Sequence, residues 1–539
     1  MNTLPGSFIC VGNIPNATTS YHEEPLSLLF GMCNGAMQFN NRVFLYGDRL
    51  IRVNLNWIRD YILTMKGFRY TEPDLVSFPD LLLEKQHPKG FFYEIIAPLA
   101  DIHSGRPRVV NGVRHQISSP ECCYYEEGLD FGLCRLELEA DIEYLMVEGV
   151  YMIWQATGDD DWLKRNLPRV EKGLHYIVTD PLRWDAAHGL AKRPRTLDTW
   201  DFLDSARSTT DRAIHPDDPM GIFHGDNTGL YHSKLLMAKL YRYLGDEKSA
   251  ARHEEEAAAL RERIMKYLWN GDFFRHFLPL DKVDYGVDEE RQMSLSNAYA
   301  LNRKILDFDQ KRRVIASYRA MREKYQGELD DFRNLEPPYP LFHGMKAGAY
   351  VNGAIAPFVA GQLALGAFET GEEEYGVDIL KRMGRKISRD GKVAFLYDYS
   401  GNDIGGGPRC WCGAELMHAE CAGLAGVVDN DKLFRDVTLS PRFVAAGEKK
   451  AHVRLQYAAS GAVVEYHYTR EGENGPISFT LLSQHQRCRL RMLLPKGAPT
   501  PSCRIDGQPV SGQLEQVGGS RYLVMDHFPS GKTGVIDFE

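Results

Sequence analysis

Five segments concentrate aromatic, acidic, amide and basic residues: NLNWIRD (54–60), RPRTLDTWDFLD (193–204), GIFHGDNTG (221–229), NLEPPYPLFHGMKAGAYVNG (334–353) and FLYDYSGNDIGGGPRCWC (395–412). These side chains suit a sugar. Aromatic faces such as those of Trp57 and Trp200 cover its C–H faces, and Asp226, His224 and other polar groups meet its hydroxyls. One such segment alone reads as an ordinary turn or cap. Five of them, each ahead of a helical pattern, predict loops that converge on one opening. Within the first, Arg59 and Asp60 interrupt an apolar run. A buried ion needs a partner, so they either pair with each other or face a ligand.

The elements that must carry these loops are legible from periodicity. From about 130 to 430, apolar residues recur at three- and four-residue steps, as in Leu138, Ile142, Leu145, Val150 and Ile153, a helical pattern that stops at Gly158. Apolar, small-residue-rich helices such as YVNGAIAPFVAGQLALGAFETG alternate with charged ones such as DEKSAARHEEEAAALRERIMKYLW. That alternation predicts an inner and an outer ring of helices, the inner apolar nearly all round and the outer amphipathic. After about 432 the period changes to two, with Gly and Asn turns, which predicts a small β-sandwich. The domains expected are a mixed segment over 1–50, a helical catalytic domain over 51–430 and a β-domain over 431–539.

Composition narrows the partners. The chain has 539 residues, 43% of them hydrophobic and 25% charged, as in an ordinary globular protein. A formal charge of -9 without a long basic block argues against nucleic acid and anionic membranes. No apolar run reaches membrane-spanning length, and the first residues lack the basic and apolar regions of a signal peptide. The 10 cysteines are scattered, as buried thiols in a reducing compartment would be, so the cytoplasm is expected. Cys122–Cys123, and Cys410, Cys412 and Cys421 with His418, raise a zinc question. Neither group has paired CxxC spacing, so no metal is expected.

Several of these segments resemble the six-hairpin (α/α)6-toroid glycoside hydrolases, the group of glucoamylases, trehalases, processing α-glucosidases, α-L-rhamnosidases and neutral invertases. NWIRDYIL is similar to their W-x-R-D segment, LDTWDF to the segment carrying their general acid, and YVNGAI to the Y-x-N-G-x-[IV] that opens a late inner helix. The resemblance covers about residues 50–500. It implies a mainly α (α/α)6 toroid with a C-terminal β-domain, and no cofactor. It also implies that Arg59, Asp60 and Asn352 line the sugar subsite.

Glycoside hydrolysis needs a proton donor for the leaving oxygen and a base for the attacking water. Asp201 is the expected donor, desolvated by Trp200 and Phe202, with Asp198 and Asp204 as rivals. The base is where the chain departs from the family. The E-x-[YW]-[DN] pattern of the relatives is here FLYD, with Phe395 where Glu would stand. Asp398 is the expected substitute, ahead of Asp403, Glu415 and Glu336. The expected activity is exo-acting, inverting hydrolysis of short oligosaccharides or glycosides. Alternatives are a phosphorylase using His343, Lys346 or Arg409, an isomerase or epimerase using His224 and His343, and an inactive carbohydrate-binding protein.

Overall fold

A computed structural model describes residues 17–20, 24–98, 108–110, 113–115, 120–198, 213–342, 344–473 and 475–538. Among them twelve helices matter here. They are α1 (Glu24–Phe39), α2 (Ile58–Phe68), α3 (Ser77–Glu84), α4 (Ile142–Thr157), α5 (Asp160–Thr179) and α6 (His224–Tyr243). Then come α7 (Glu247–Leu268), α8 (Ser296–Ala300), α9 (Phe308–Tyr325), α10 (Pro357–Glu369), α11 (Glu373–Asp390) and α12 (Cys410–His418).

Six of these helices form a closed cycle of contacts: α2 packs on α4, α4 on α6, α6 on α8, α8 on α10, α10 on α12, and α12 on α2. The burial of each helix follows from its place. In α10 nearly every side chain from Pro357 to Phe368 is buried, whereas α7 buries only Ala250, His253, Ala257, Leu260, Ile264 and Leu268. That is a single stripe at helical spacing, and α7 turns it onto α6. Close approach inside the cycle depends on small residues. A Cβ at Gly361 of α10 would lie 2.5 Å from the backbone carbonyl carbon of Glu415 in α12. The outer helices start on side-chain caps: Asp159 accepts from the Trp162 amide, Asp246 from Ser249, and Asp307 forms a capping box with Gln310.

The C-terminal strands form two sheets. One runs in the order Ala17–Ser20, Lys450–Gln456, Val463–Arg470, Ile477–Leu481, Thr533–Phe538, Pro501–Ile505, Gln508–Val510. The other runs Val427–Asp429, Asp436–Leu439, Arg487–Leu493, Ser520–Met525, Gln513–Val517. Alternate residues such as Val453, Leu455, Tyr466, Phe479, Leu490 and Met492 are buried, in keeping with the period of two.

Among the first 50 residues, two described segments pack on distant parts of the chain. Ala17–Ser20 pairs antiparallel with Lys450–Gln456, and α1 packs on α11 and α12. Both partners lie hundreds of residues away, and neighbouring sequence cannot signal such pairings.

The C-terminal strands lie against the C-terminal ends of α2 and α4. Gln155, near the end of α4, donates to the carbonyls of Asp429 and Asp431 at 3.0 and 3.1 Å. Tyr70, just past α2, stacks on Tyr457 with ring centroids 5.8 Å apart. The opposite ends, where the helices begin, carry the polar loops. Among the described residues no helix is long and apolar enough to cross a membrane.

Candidate active site

Arg59 and Asp60 lie in the first turn of α2 and do not pair with each other. Arg59 reaches to the segment that leads into α4. Its Nε and Nη2 donate to the Asp141 carboxylate at 2.6 Å each, and its Nη1 donates to Glu139 Oε1 at 2.7 Å. Its Nη2 also donates to Glu139 Oε2. The planar guanidinium thus directs its fork at two carboxylates of the protein. Asp60 pairs with Arg409, whose Nη2 lies 3.3 Å from Asp60 Oδ1. Both are ion-paired, and the pairs tie together the N-terminal ends of α2, α4 and α12.

Around Arg59 the carboxyl groups separate into two protonation classes. Burial works against the charge of Asp141, yet Arg59, with Arg193 and Arg135 behind it, holds its carboxyl below the usual range. Asp226, in the first turn of α6, goes the other way. Burial pushes its carboxyl up to about 6, aided by the fields of Asp141 and Asp198 and opposed by Arg193, whose Nε lies 3.0 Å from Asp226 Oδ2. Glu94, just ahead of the strand Ile95–Pro98, is also raised, by burial and by neighbouring Glu139, and Arg135 Nη1 lies 3.8 Å from its carboxylate. Sequence reasoning missed Glu94, Glu139 and Asp141. The run RLELEAD was legible as charged, but not as facing Arg59 eighty residues earlier.

A second cluster adjoins the first. Asp198 is buried and accepts from the Ser294 hydroxyl, and His224 Nε2 contacts the same hydroxyl at 2.8 Å. Burial opposes the charge of Asp198, but His224, His276, Ser294 and Arg193 hold its carboxyl below the usual range. Burial takes His224 down to about 4 and His276 to about 4, so both are neutral imidazoles at pH 7. His224 stacks on Phe274 with centroids 5.4 Å apart, and His276 meets Gln292 Oε1 at 2.8 Å. His224 Nε2 also lies 3.7 Å from Asp198 Oδ2.

Other expected residues are turned to structural use. Asn352 donates to the carbonyls of Tyr339 and Met345 at 3.0 Å each, and its Oδ1 accepts from the Tyr339 amide at 2.9 Å. Its amide ties the loop together through all three of these bonds. Asp398 accepts from the amides of Ser400 and Asn402 at 2.9 and 2.8 Å and from Asn402 Nδ2 at 3.0 Å. That is the turn written into YDYSGND, and the Asn402 and backbone bonds hold the carboxyl below its ordinary range. Such a group is a poor base. Of the other carboxylates weighed for that role, Glu336 is paired with Lys324 and Arg333, and Glu415 with Lys66.

Phe395 is buried among Tyr350, Phe358 and Trp411, and the Arg409 guanidinium lies 4.4 Å over its ring. Trp57 packs against Ile95, Cys134 and Leu136. Trp200, Asp201, Asp204 and His343 lie outside the described residues. A cleft of about 780 Å³ lies elsewhere, between α9, α11 and the C-terminal strands, and it holds ion pairs such as Arg319–Glu372 and Lys496–Glu374.

The chain superposes on the α-L-rhamnosidase from Dictyoglumus thermophilum with a TM-score of 0.60 over 97% of its length. The fold is shared with α-L-rhamnosidases. Identity to that enzyme is 12%, and the match covers 50% of it. The GH78 family rhamnosidase of Bacillus sp. GL1 gives a TM-score of 0.58 at 12% identity, covering 89% of this chain and 43% of that one. The α-L-rhamnosidase from Aspergillus terreus gives 0.54 at 11% identity, covering 97% and 50%. These rhamnosidases are six-hairpin (α/α)6-toroid glycoside hydrolases, the group that the sequence resembles. The chain spans about half the length of the rhamnosidases it matches. No family model and no curated protein matches it.

Proposed function

We propose that the closed cycle of helix pairs is an (α/α)6 toroid and that its loop-bearing end is the active site of an exo-acting, inverting glycoside hydrolase. One observation carries this reading. A buried carboxyl poised near pH 6, Asp226, lies within the field of ionised carboxylates, Asp141 and Asp198. Pushing the pKa values of neighbouring carboxyl groups apart is how one site supplies both an acid and an anion.

In this reading the proton donor is Asp201, on the resemblance of LDTWDF, or Asp226, the carboxyl prepared for the role among the described residues. Asp60 is the base. Its Oδ1 meets Arg409 at 3.3 Å beside Phe395, the position where relatives place a catalytic Glu. The base would then be supplied from α2. Terminal L-rhamnose is the first sugar to offer, because the fold is that of rhamnosidases.

A phosphorylase is the second reading, and Arg409 favours it. A guanidinium laid over Phe395 puts a phosphate-binding group at the site of the missing base.

The test compares Asp201→Asn and Asp226→Asn on aryl glycosides and on glycosides with poor leaving groups, with and without phosphate. The donor's variant loses roughly 10²–10⁴-fold on poor leaving groups and less on activated ones. Equal losses on both substrate types in both variants would remove the pair from that role. Turnover that requires phosphate would replace hydrolysis by phosphorolysis.

A further inference from the structure

Two cysteines face each other across an antiparallel ladder beside the site. Strand Phe131–Cys134 lies between Ile95–Pro98 and Cys123–Tyr124, and the register places Cys134 opposite Ile95 on one side and Cys123 on the other. The hydrogen-bond pattern fixes the kind of pairing. The Arg135 amide donates to the Cys122 carbonyl at 2.8 Å, so 122 and 135 form the hydrogen-bonded pair and 123 and 134 the non-bonded pair next to it. Non-bonded pairs bring their Cα atoms to about 4.5 Å, inside the roughly 4.4–6.8 Å that a disulfide spans.

Side-chain placement agrees. Cys123 and Cys134 both pack in the small apolar group of Ile95, Ala97, Leu136 and Trp57. Cys122 points to the opposite face, where its thiol donates to Glu137 Oε1 at 3.1 Å. Cys134 is buried and Cys123 is half-buried, so one sulfur of the pair is open to a small reagent and the other waits behind it.

We propose that Cys123 and Cys134 are a reversible disulfide site, oxidised by low-molecular-weight disulfides. The Cys123 thiolate attacks one sulfur of the oxidant, forming a mixed disulfide and releasing one thiolate. Cys134 then gives up its proton, and its sulfur attacks the Cys123 sulfur. The second half of the oxidant leaves as a thiol. One S–S bond is broken and one formed, and the two electrons lost by the cysteines reside in the two released thiols. The hydrogen bond from Cys134 to the Cys123 sulfur lowers the Cys123 thiol pKa, which favours Cys123 as the attacking member.

The bond would fasten the edge strand to the chain that runs on through Arg135 to Glu139 and Asp141. Cross-strand pairs at non-bonded positions sit at the short end of disulfide geometry, and strained disulfides are the readily reduced ones.

The experiment equilibrates the full chain in mixtures of oxidised and reduced glutathione, alkylates free thiols and maps non-reduced peptides by mass spectrometry. The expected result is a loss of two of the 10 thiols with a single Cys123–Cys134 cross-linked peptide. Excess reduced glutathione should reverse it. Cys122→Ser should leave the cross-link intact, and Cys134→Ser should trap glutathione on Cys123. A stable glutathione adduct on Cys123 in the unsubstituted chain would overturn the proposal. So would a cross-link through Cys122, or alkylation of both cysteines at every ratio.

Discussion

Replacing Arg59 by Lys should unfold the chain more readily, and the structure sets the size. Arg59 makes four hydrogen bonds to Glu139 and Asp141, all three side chains buried. Hydrogen bonds to charged groups contribute about 1.5–3 kcal/mol each, and breaking a buried pair outright costs about 3–5 kcal/mol. Lys keeps the charge but not the planar fork, and its three donors radiate from one nitrogen, so it cannot keep all four contacts. The expected loss is about 2–3 kcal/mol, rising to about 3–5 kcal/mol for Arg59→Met, which removes the four bonds and the charge from both carboxylates.

Urea unfolding followed by circular dichroism at pH 7 measures it as a fall in midpoint without a change in slope. The pH dependence has a defined sign. The Asp141 carboxyl is depressed in the folded chain, so its contribution is present above its unfolded value of about 3.9 and is lost as pH falls through the lower folded value. Arg59→Lys should therefore destabilise less at low pH than at neutral pH. A loss below about 0.5 kcal/mol, the range of an ordinary surface substitution, together with a collapse in sugar binding would refute this. The guanidinium would then be serving the ligand, not Glu139 and Asp141.

Three further outcomes are expected. Asp226→Asn should raise stability at pH 7: the Asp226 carboxyl is lifted to about 6, so its stabilising contribution exists below pH ~4 and is lost as pH rises through about 6, a difference of about 3 kcal/mol that unfolding at pH 4 and pH 8 would reveal. Asp398→Ala should destabilise the turn by about 1–2 kcal/mol in urea titrations and leave the turnover of folded protein near that of the unsubstituted chain. Asn352→Ala should cost about 2–3 kcal/mol, because a buried and a part-buried backbone carbonyl and one buried amide lose their partner, and proteolysis within 334–353 should accelerate.

The parts legible in the sequence were those written locally. The nearly continuous burial of α10 and the single stripe of α7 follow from their own residues, as does the change to alternating burial after Val427. The turn at Asp398 is likewise spelled out in YDYSGND. Long-range partners were illegible. α1 closes the packing between α11 and α12, and Ala17–Ser20 joins a sheet whose next strand begins at Lys450, neither of which neighbouring residues predict. The site shows the same division. Arg59, Asp60 and Asp226 stood out as polar residues at helix starts, but which carboxylate each guanidinium would hold depended on contacts tens to hundreds of residues away.

The central claim is that this chain hydrolyses a terminal glycosidic bond with inversion at the loop-bearing end of its helical cycle. Proton NMR of the sugar first released from an aryl α-L-rhamnoside in phosphate-free buffer tests it most directly, read before mutarotation. The account predicts that the β-anomer appears first and that Asp60→Asn abolishes its release. First appearance of the α-anomer, or of a sugar phosphate only when phosphate is added, would contradict it.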